Sequence, residues 1–318
     1  MKEKRSMKKP FRKNVALAVD GGGFRGIMVA KALSMLEQEL GKSCSEIFSL
    51  TTGTSTGSII SAAVSLGITA SQIYGLYREL GRTIFRKSLR SIEPFSYLAH
   101  YKYSNRPLEK ALRHYLGEVT MGKFWQDNPK KDLVITVRDL VENRTRFVKS
   151  WKLEYKDWKI WYTVLASCSV PTYFPVVDGR YIDGGVGSFS NPCYIAAYEV
   201  KFCLKEWDPA QTTLISIGTG RAKKGFEPYE AEKFCSFSWI APLIDTFLSD
   251  SNDQQVRVVK RFFEGLDFRR FQINTEPIAM DDPSKVDELT AYGEELGRMI
   301  LNDKQDTEVE NPHEEVRL

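Results

Sequence analysis

Three short stretches hold residues whose types and spacing could do chemistry: VDGGGFRG at 19–26, GTSTG at 53–57 and DGG at 183–185. Three consecutive glycines cost chain entropy on folding. They repay it where a ligand must approach the backbone N–H groups closely, and a phosphate or a developing oxyanion is such a ligand. GTSTG is a G-x-S-x-G, the pattern of a serine nucleophile held in a sharp strand-to-helix turn. Gly53 and Gly57 would leave room where strand and helix crowd together, and Ser55 would carry the hydroxyl. Asp183, followed by Gly184 and Gly185, places a carboxylate in a tight, uncrowded turn. It could accept a proton, or simply hydrogen-bond its own backbone as turn aspartates do.

The glycines alone do not decide between phosphate and oxyanion. Gly21, Gly23 and Gly26 satisfy the G-x-G-x-x-G of dinucleotide sites. That reading needs an acid about 20 residues on, at the end of a second strand, to hold the ribose. Glu37 and Glu39 have the distance but fall inside a helix. A P-loop fits no better, because no glycine–lysine pair lies at the required offset. A serine nucleophile also needs a base. The three histidines, His100, His114 and His313, lie in a polar helical region or the acidic tail, and none follows a strand end. Three readings stand on the residues alone: a serine hydrolase with a carboxylate base, a Rossmann-type dinucleotide enzyme, and a binding module without catalysis.

The elements that must position these residues alternate. Asn14–Val19 and Ile47–Thr52 read as buried strands. Gly26–Leu40, with Ile27, Ala30, Leu33, Leu36 and Leu40 on one face, and Ser58–Leu66 read as helices. That βαβα order predicts a parallel sheet covered by helices. Residues 70–116 read as helical, broken near Pro94 and Pro107. Leu133–Leu140 and Thr145–Trp151 make a hairpin, and Phe174–Val177 and Arg180–Ile182 flank the turn pair Asp178-Gly179. Asn191-Pro192 starts a helix, TTLISIGTG is another buried strand, and DDPSKVDELTAYGEELGRMI is amphipathic. The sequence shows no repeat or linker, so residues 14–302 read as a single domain.

Composition narrows the function. The 318 residues carry a net charge of +4, unevenly spread. Residues 1–13 hold seven basic side chains against Glu3, and residues 303–318 hold six acids against Lys304 and Arg317. Both ends read as disordered, solvated tails. The body is too balanced to argue for DNA or RNA. Five cysteines without CxxC spacing favour a reducing cytosol over a zinc site or a disulfide framework. The apolar run Val15–Val19 is too short for a signal peptide. Ile59–Leu66, interrupted by Ser61 and Ser65, reads as a core helix rather than a membrane span. The expectation is a soluble, cytoplasmic protein that visits a membrane surface.

In their order, DGGGFRG, GTSTG and DGG, with ASCSVPTYFP at 166–175 between the last two, resemble the patatin-like phospholipases over roughly residues 14–220. The resemblance implies a three-layer α/β/α sandwich with a mostly parallel central sheet. It implies a Ser-Asp dyad that hydrolyses the acyl esters of phospholipids or other lipids without histidine. Carried over by motif, Ser55 is the nucleophile and Asp183 the base. Gly21, Gly22 and Gly23 form the oxyanion loop with Arg25 at its basic position, and Gly53 and Gly57 frame the elbow. No metal or organic cofactor is implied. Ser58 departs from the pattern, since many members carry another glycine there.

Two further stretches carry expectations about partners. Arg82, Arg86, Lys87 and Arg90 read first as a solvated basic helix face, with an anion site for an activator such as a cyclic nucleotide as the alternative. Residues 226–250 concentrate Phe226, Tyr229, Phe234, Phe237, Trp239 and Phe247. These rings could fill the core, line a homo-oligomer interface, or form a lid that inserts at the lipid headgroups.

Overall fold

The computed structural model describes residues 7–86, 101–222, 225, 227–234 and 239–309. At its centre is a seven-stranded sheet. Its strands are β1 (Asn14–Val19), β2 (Leu50–Gly53), β3 (Asp132–Asp139), β4 (Arg144–Lys149), β5 (Tyr181–Asp183), β6 (Thr212–Ile217) and β7 (Asp267–Phe271). The order is β4-β3-β2-β1-β6-β7, and β5 pairs with β3. The pairs β1–β2, β1–β6, β2–β3 and β6–β7 are parallel, while β4 and β5 run antiparallel to β3. The mostly parallel sheet expected from the sequence is therefore the one observed.

Strand β1 shows why the sheet is covered on both faces. Successive side chains point to opposite sides. Leu17 and Val19 enter one core, and Ala16 and Ala18 enter the other. The first face is covered by α1 (Gly26–Leu40), α2 (Thr56–Ser65), α3 (Ala70–Ile84), α4 (Arg106–Leu116), α5 (Ile160–Ser167) and α8 (Val286–Leu301). The second is covered by α6 (Cys193–Tyr198) and α7 (Ile240–Phe262). The result is the three-layer sandwich.

Local chemistry sets the boundaries. Gly41, left-handed at φ 64°, ends α1. A reciprocal Thr69–Gln72 capping box starts α3. Pro107 opens α4 instead of breaking it, since the first turn has no use for its missing N–H. Residues 44–47 form a short helix, so β2 begins at Leu50 rather than Ile47. Phe174–Val176 is not a strand; only Val177 bridges to Tyr181, around a turn in which Asp178 and Gly179 have φ of 50° and 63°.

The described parts of the two ends depart from the disordered tails expected. Met7 joins the core, Lys9 pairs with the buried carboxylate of Asp267, and Arg269 donates to the carbonyls of Lys9 and Pro10. Asp306 takes the Arg221 guanidinium and Val309 packs in the second core. Buried charges inside the domain need these partners, which is why both ends stay attached. Residues 1–6 and 310–318 lie outside the described residues.

Candidate active site

The site forms where β1 and β2 end. Strand β2 stops at Gly53, and the chain turns sharply through Ser55, whose φ of 54° and ψ of −128° are rare for a residue with a side chain. Such a conformation costs about 1–3 kcal/mol and persists only where its surroundings enforce it. Here they do. A Cβ on Gly57 would lie 2.1 Å from the Val19 carbonyl oxygen, and one on Gly53 2.2 Å from that of Gly57. Both elbow glycines are therefore required sterically. The Ser55 N–H donates to the Ser167 hydroxyl at 2.9 Å, a fixing bond at the end of α5 that the sequence did not reveal.

Asp183 reaches Ser55 because of a change of strands beside β3. Gly53 is the partner of Ile135, and Asp183 is the partner of Val137. Strand β5 thus enters the lane that β2 leaves, two residues further along β3. Asp183 is fully buried, and its Oδ1 accepts the Gly185 N–H at 2.8 Å. Its Oδ2 has no bond within ordinary hydrogen-bond geometry. Burial pushes its pKa up to about 7, while the neighbouring Ser55 hydroxyl and the Gly185 N–H pull it down. A carboxyl titrating near neutrality beside an alcohol is placed to exchange a proton with it.

The glycine loop lies opposite. Phe24 donates its N–H to the Met280 carbonyl, and Gly21 donates to that of Ser190. The Gly21 N–H is therefore taken and cannot serve as an oxyanion donor, contrary to expectation. Gly21 supplies space instead, since a Cβ there would lie 3.2 Å from the Ser55 Cβ. The N–H groups of Gly22 and Gly23 have no acceptor among the described residues. Arg25 does not point a free charge at the site; its Nε donates to the Gly22 carbonyl at 3.3 Å and steadies the loop. Beneath the loop, Asp20 and Arg270 form a fully buried bidentate pair at 2.8 and 2.6 Å. Met280 and Arg270 lie beyond the stretch that carries the sequence resemblance, yet both hold this loop.

Ser55 opens on a largely apolar pocket between α2, α3 and α4 that is continuous with solvent at its mouth. Ile59, Leu76, Leu112 and Leu116 line its depth, and Tyr173 and Phe174 belong to the same wall. Cys168 also lines it, and burial holds its thiol protonated. Among the described residues no group of histidine, cysteine and acidic side chains is arranged to hold a metal ion.

The remaining candidates fall elsewhere. Glu37, which has the sequence distance of a ribose ligand but lies within α1, accepts the N–H groups of Cys44 and Ala70. His114 is exposed, whereas His100 and His313 lie outside the described residues. Arg82 and Arg86 are exposed at the end of α3, and Lys87 and Arg90 lie outside the described residues. In the aromatic segment Tyr229 is exposed, and Phe234 meets Trp239 edge to face at 5.4 Å. Phe226, Phe237 and the side chain of Phe247 lie outside the described residues. No described helix is long and apolar enough to cross a membrane.

A strained serine, a buried carboxyl and open backbone donors over an apolar pocket define a serine acyl hydrolase type of site. The profile of the patatin-like phospholipases matches residues 17–197, more than half of the chain, and the chain belongs to that family. Its relatives include a cGAMP-activated phospholipase of Pseudomonas aeruginosa, 29% identical over 213 residues, covering 64% of this chain and 61% of that protein. The rat (Rattus norvegicus) calcium-independent phospholipase A2-gamma is 28% identical over 221 residues, covering 64% of this chain and 28% of its own. The chain thus spans less than two thirds of the length of either. Among solved structures, VipD from Legionella pneumophila aligns with a TM-score of 0.47 at 15% identity, over 94% of this chain and 68% of its own.

Proposed function

We propose that the protein hydrolyses acyl ester bonds of membrane lipids, with Ser55 as nucleophile and Asp183 as base. The observation that supports this reading is a buried carboxylate beside the elbow serine, with one oxygen that has no hydrogen-bond partner. The Ser55 Oγ attacks the ester carbonyl carbon while its proton passes to Asp183 Oδ2. The carbonyl oxygen becomes an oxyanion facing the N–H groups of Gly22 and Gly23, where one well-placed donor is worth about 3–4 kcal/mol of barrier. Collapse breaks the carbon–oxygen bond to the alcohol, which leaves with the proton from Asp183. Water then attacks the acyl-enzyme, gives its proton to Asp183, and releases the fatty acid as Ser55 Oγ regains a proton. The apolar pocket beside Ser55 accommodates the acyl chain.

The substrate sits in a bilayer, so the protein docks transiently on a membrane surface, and its cysteines without disulfide spacing suit the cytoplasm. Regulation by a signalling nucleotide is a second reading, supported by the Pseudomonas relative's description as cGAMP-activated. Titrating cyclic dinucleotides against ester hydrolysis tests it. The main reading is tested by a fluorophosphonate probe and a soluble chromogenic acyl ester. Covalent labelling at Ser55 and loss of turnover in Ser55→Ala are expected. An unlabelled, inactive wild type would instead indicate a binding module on the same fold.

A further inference from the structure

The hairpin formed by β3 and β4 extends past the site. Gly53 pairs with Ile135, and the β3 ladder continues four residues further to Asp139. At about 3.3 Å per residue the tip therefore projects roughly 13 Å beyond the end of β2. It does so from the end of the sheet at which the pocket opens beside Ser55. The tip itself carries Leu140 and Val141, 47% and 68% exposed. The Leu140 N–H donates to the Arg180 carbonyl, which sets the tip beside the Asp178-Gly179 turn. Val176, 41% exposed, enters that turn only two residues after Phe174 in the pocket wall. Isolated exposed aliphatic residues are ordinary. Two adjacent ones at a projecting tip, with a third on the neighbouring turn that leads into the pocket wall, are a different matter.

The tip is also held rigid by charges that contribute nothing to the dyad. Buried Asp139 accepts the N–H groups of Val141 and Glu142, the Nε of Arg146, and the Nε and Nη2 of Arg180. These donors hold its carboxyl well below the usual carboxylate range. Glu142 takes Arg144, Arg146 and Arg180 in addition, and Arg138 donates to Asn143. The charged side chains at the tip are thus engaged with one another or with Asn143, and Leu140 and Val141 stand exposed beside the exposed Glu142–Arg144 pair. A rigid projection that exposes two aliphatic side chains, keeps its surface charges paired and stands beside an apolar pocket suits the acyl–headgroup boundary of a bilayer rather than an acidic or basic partner.

We propose that the Leu140–Val141 tip, with Val176, is the element by which the protein inserts into a lipid surface. This rests on the reading of the site as a lipid hydrolase. Burying two aliphatic side chains predicts a change in vesicle affinity on the order of tenfold or more. The test measures partition of the protein onto phosphatidylcholine vesicles, with and without phosphatidylserine, and hydrolysis of both the vesicle lipid and a soluble short-chain ester. In Leu140→Asp/Val141→Asp, binding to both vesicle types and vesicle hydrolysis should fall together, while soluble-ester turnover and the thermal midpoint hold. Leu140→Ser/Val141→Ser serves the same purpose should the acidic pair disturb folding.

Unchanged vesicle binding in these variants overturns the proposal. So does loss confined to Trp239→Ala/Leu243→Ala, or wild-type binding that collapses with added salt. Sedimentation showing a wild-type dimer that the variants dissociate would assign the tip to a second copy of the chain instead. A wild type inactive on the soluble ester would refute the hydrolase reading, a result separable from all of these.

Discussion

Asp183 and Asp139 sit one pleat apart on the same ladder, and both are fully buried. Their environments drive them in opposite directions. Asp183 keeps one oxygen without a hydrogen bond, and burial raises its pKa to about 7. Asp139 is surrounded by two guanidinium groups and two backbone N–H groups, and stays ionised far below that. Burial alone therefore does not make a carboxylate reactive. Donors do the sorting: a carboxylate supplied with them becomes a structural anchor, and one deprived of them is left to react. On the proposed reading the chemistry falls to β5, while the anchored carboxylate fixes the β3–β4 tip.

The largest effect should come from breaking the reactive partner. Ser55→Ala and Asp183→Ala should each lower ester turnover by about four orders of magnitude or more, and the double variant should be hardly worse than either, because the two act as a unit. Near-normal turnover in Asp183→Ala would remove it from the mechanism. In the wild type, turnover should rise with pH through about 7 as Asp183 ionises.

Stability should move the other way. The folded pKa of about 7 lies above the ordinary 3.8, so the folded state binds more protons between these values. The stabilisation is fully present below about pH 4 and is lost as pH rises through 7, by at most roughly 4 kcal/mol. Asp183→Asn abolishes this dependence and should be more stable than the wild type at pH 8, though inactive. Denaturant melts at pH 4.5 and pH 8 would show it; equal pH slopes in the two proteins would contradict the assigned environment.

How far the two carboxylates could be told apart from sequence is uneven. DGG after a strand marks Asp183, and G-x-S-x-G marks Ser55, because these motifs record steric demands that only glycine meets. Asp139 carries no such mark, since its donors come from Arg146 and Arg180, which only the fold brings together. Strand β7 was equally hidden. DFRRF reads as polar, yet Arg269 and Arg270 are buried against Asp267 and Asp20, which hydrophobic alternation cannot detect. Met280 acts through its backbone carbonyl, and any residue type could supply that. The first strand was legible because β1 is an almost continuous apolar run, as a parallel strand buried on both faces must be, whereas β6 is wholly buried although three of its six residues are Thr or Ser.

Breaking the anchored partner should leave chemistry largely intact while weakening the fold. Arg146→Met deprives Asp139 of a buried counter-charge, and truncating one side of such a pair costs about 3–5 kcal/mol. The expected result is a clear loss of thermal stability with soluble-ester turnover per folded molecule reduced only slightly. If turnover instead fell as far as in Asp183→Ala, the two carboxylates would belong to one machine.

The smallest expected effect probes how the reactive serine is held. Ser167 accepts the Ser55 N–H from the end of α5, and both residues are buried. Ser167→Ala leaves that N–H without its acceptor, a loss of about 1–3 kcal/mol if no water replaces it. Part of this should appear as stability and part as relaxation of the elbow, whose conformation nothing else bonds through that atom. The rate of fluorophosphonate labelling separates the two, because it reports the geometry of Ser55 in molecules that remain folded. A modest, several-fold slower labelling with an unchanged pH midpoint is expected, since Asp183 keeps its surroundings. A shifted midpoint would mean that Ser167 acts through the carboxyl as well. In that case the contrast between the two aspartates would depend on α5 and not on β3 and β5 alone.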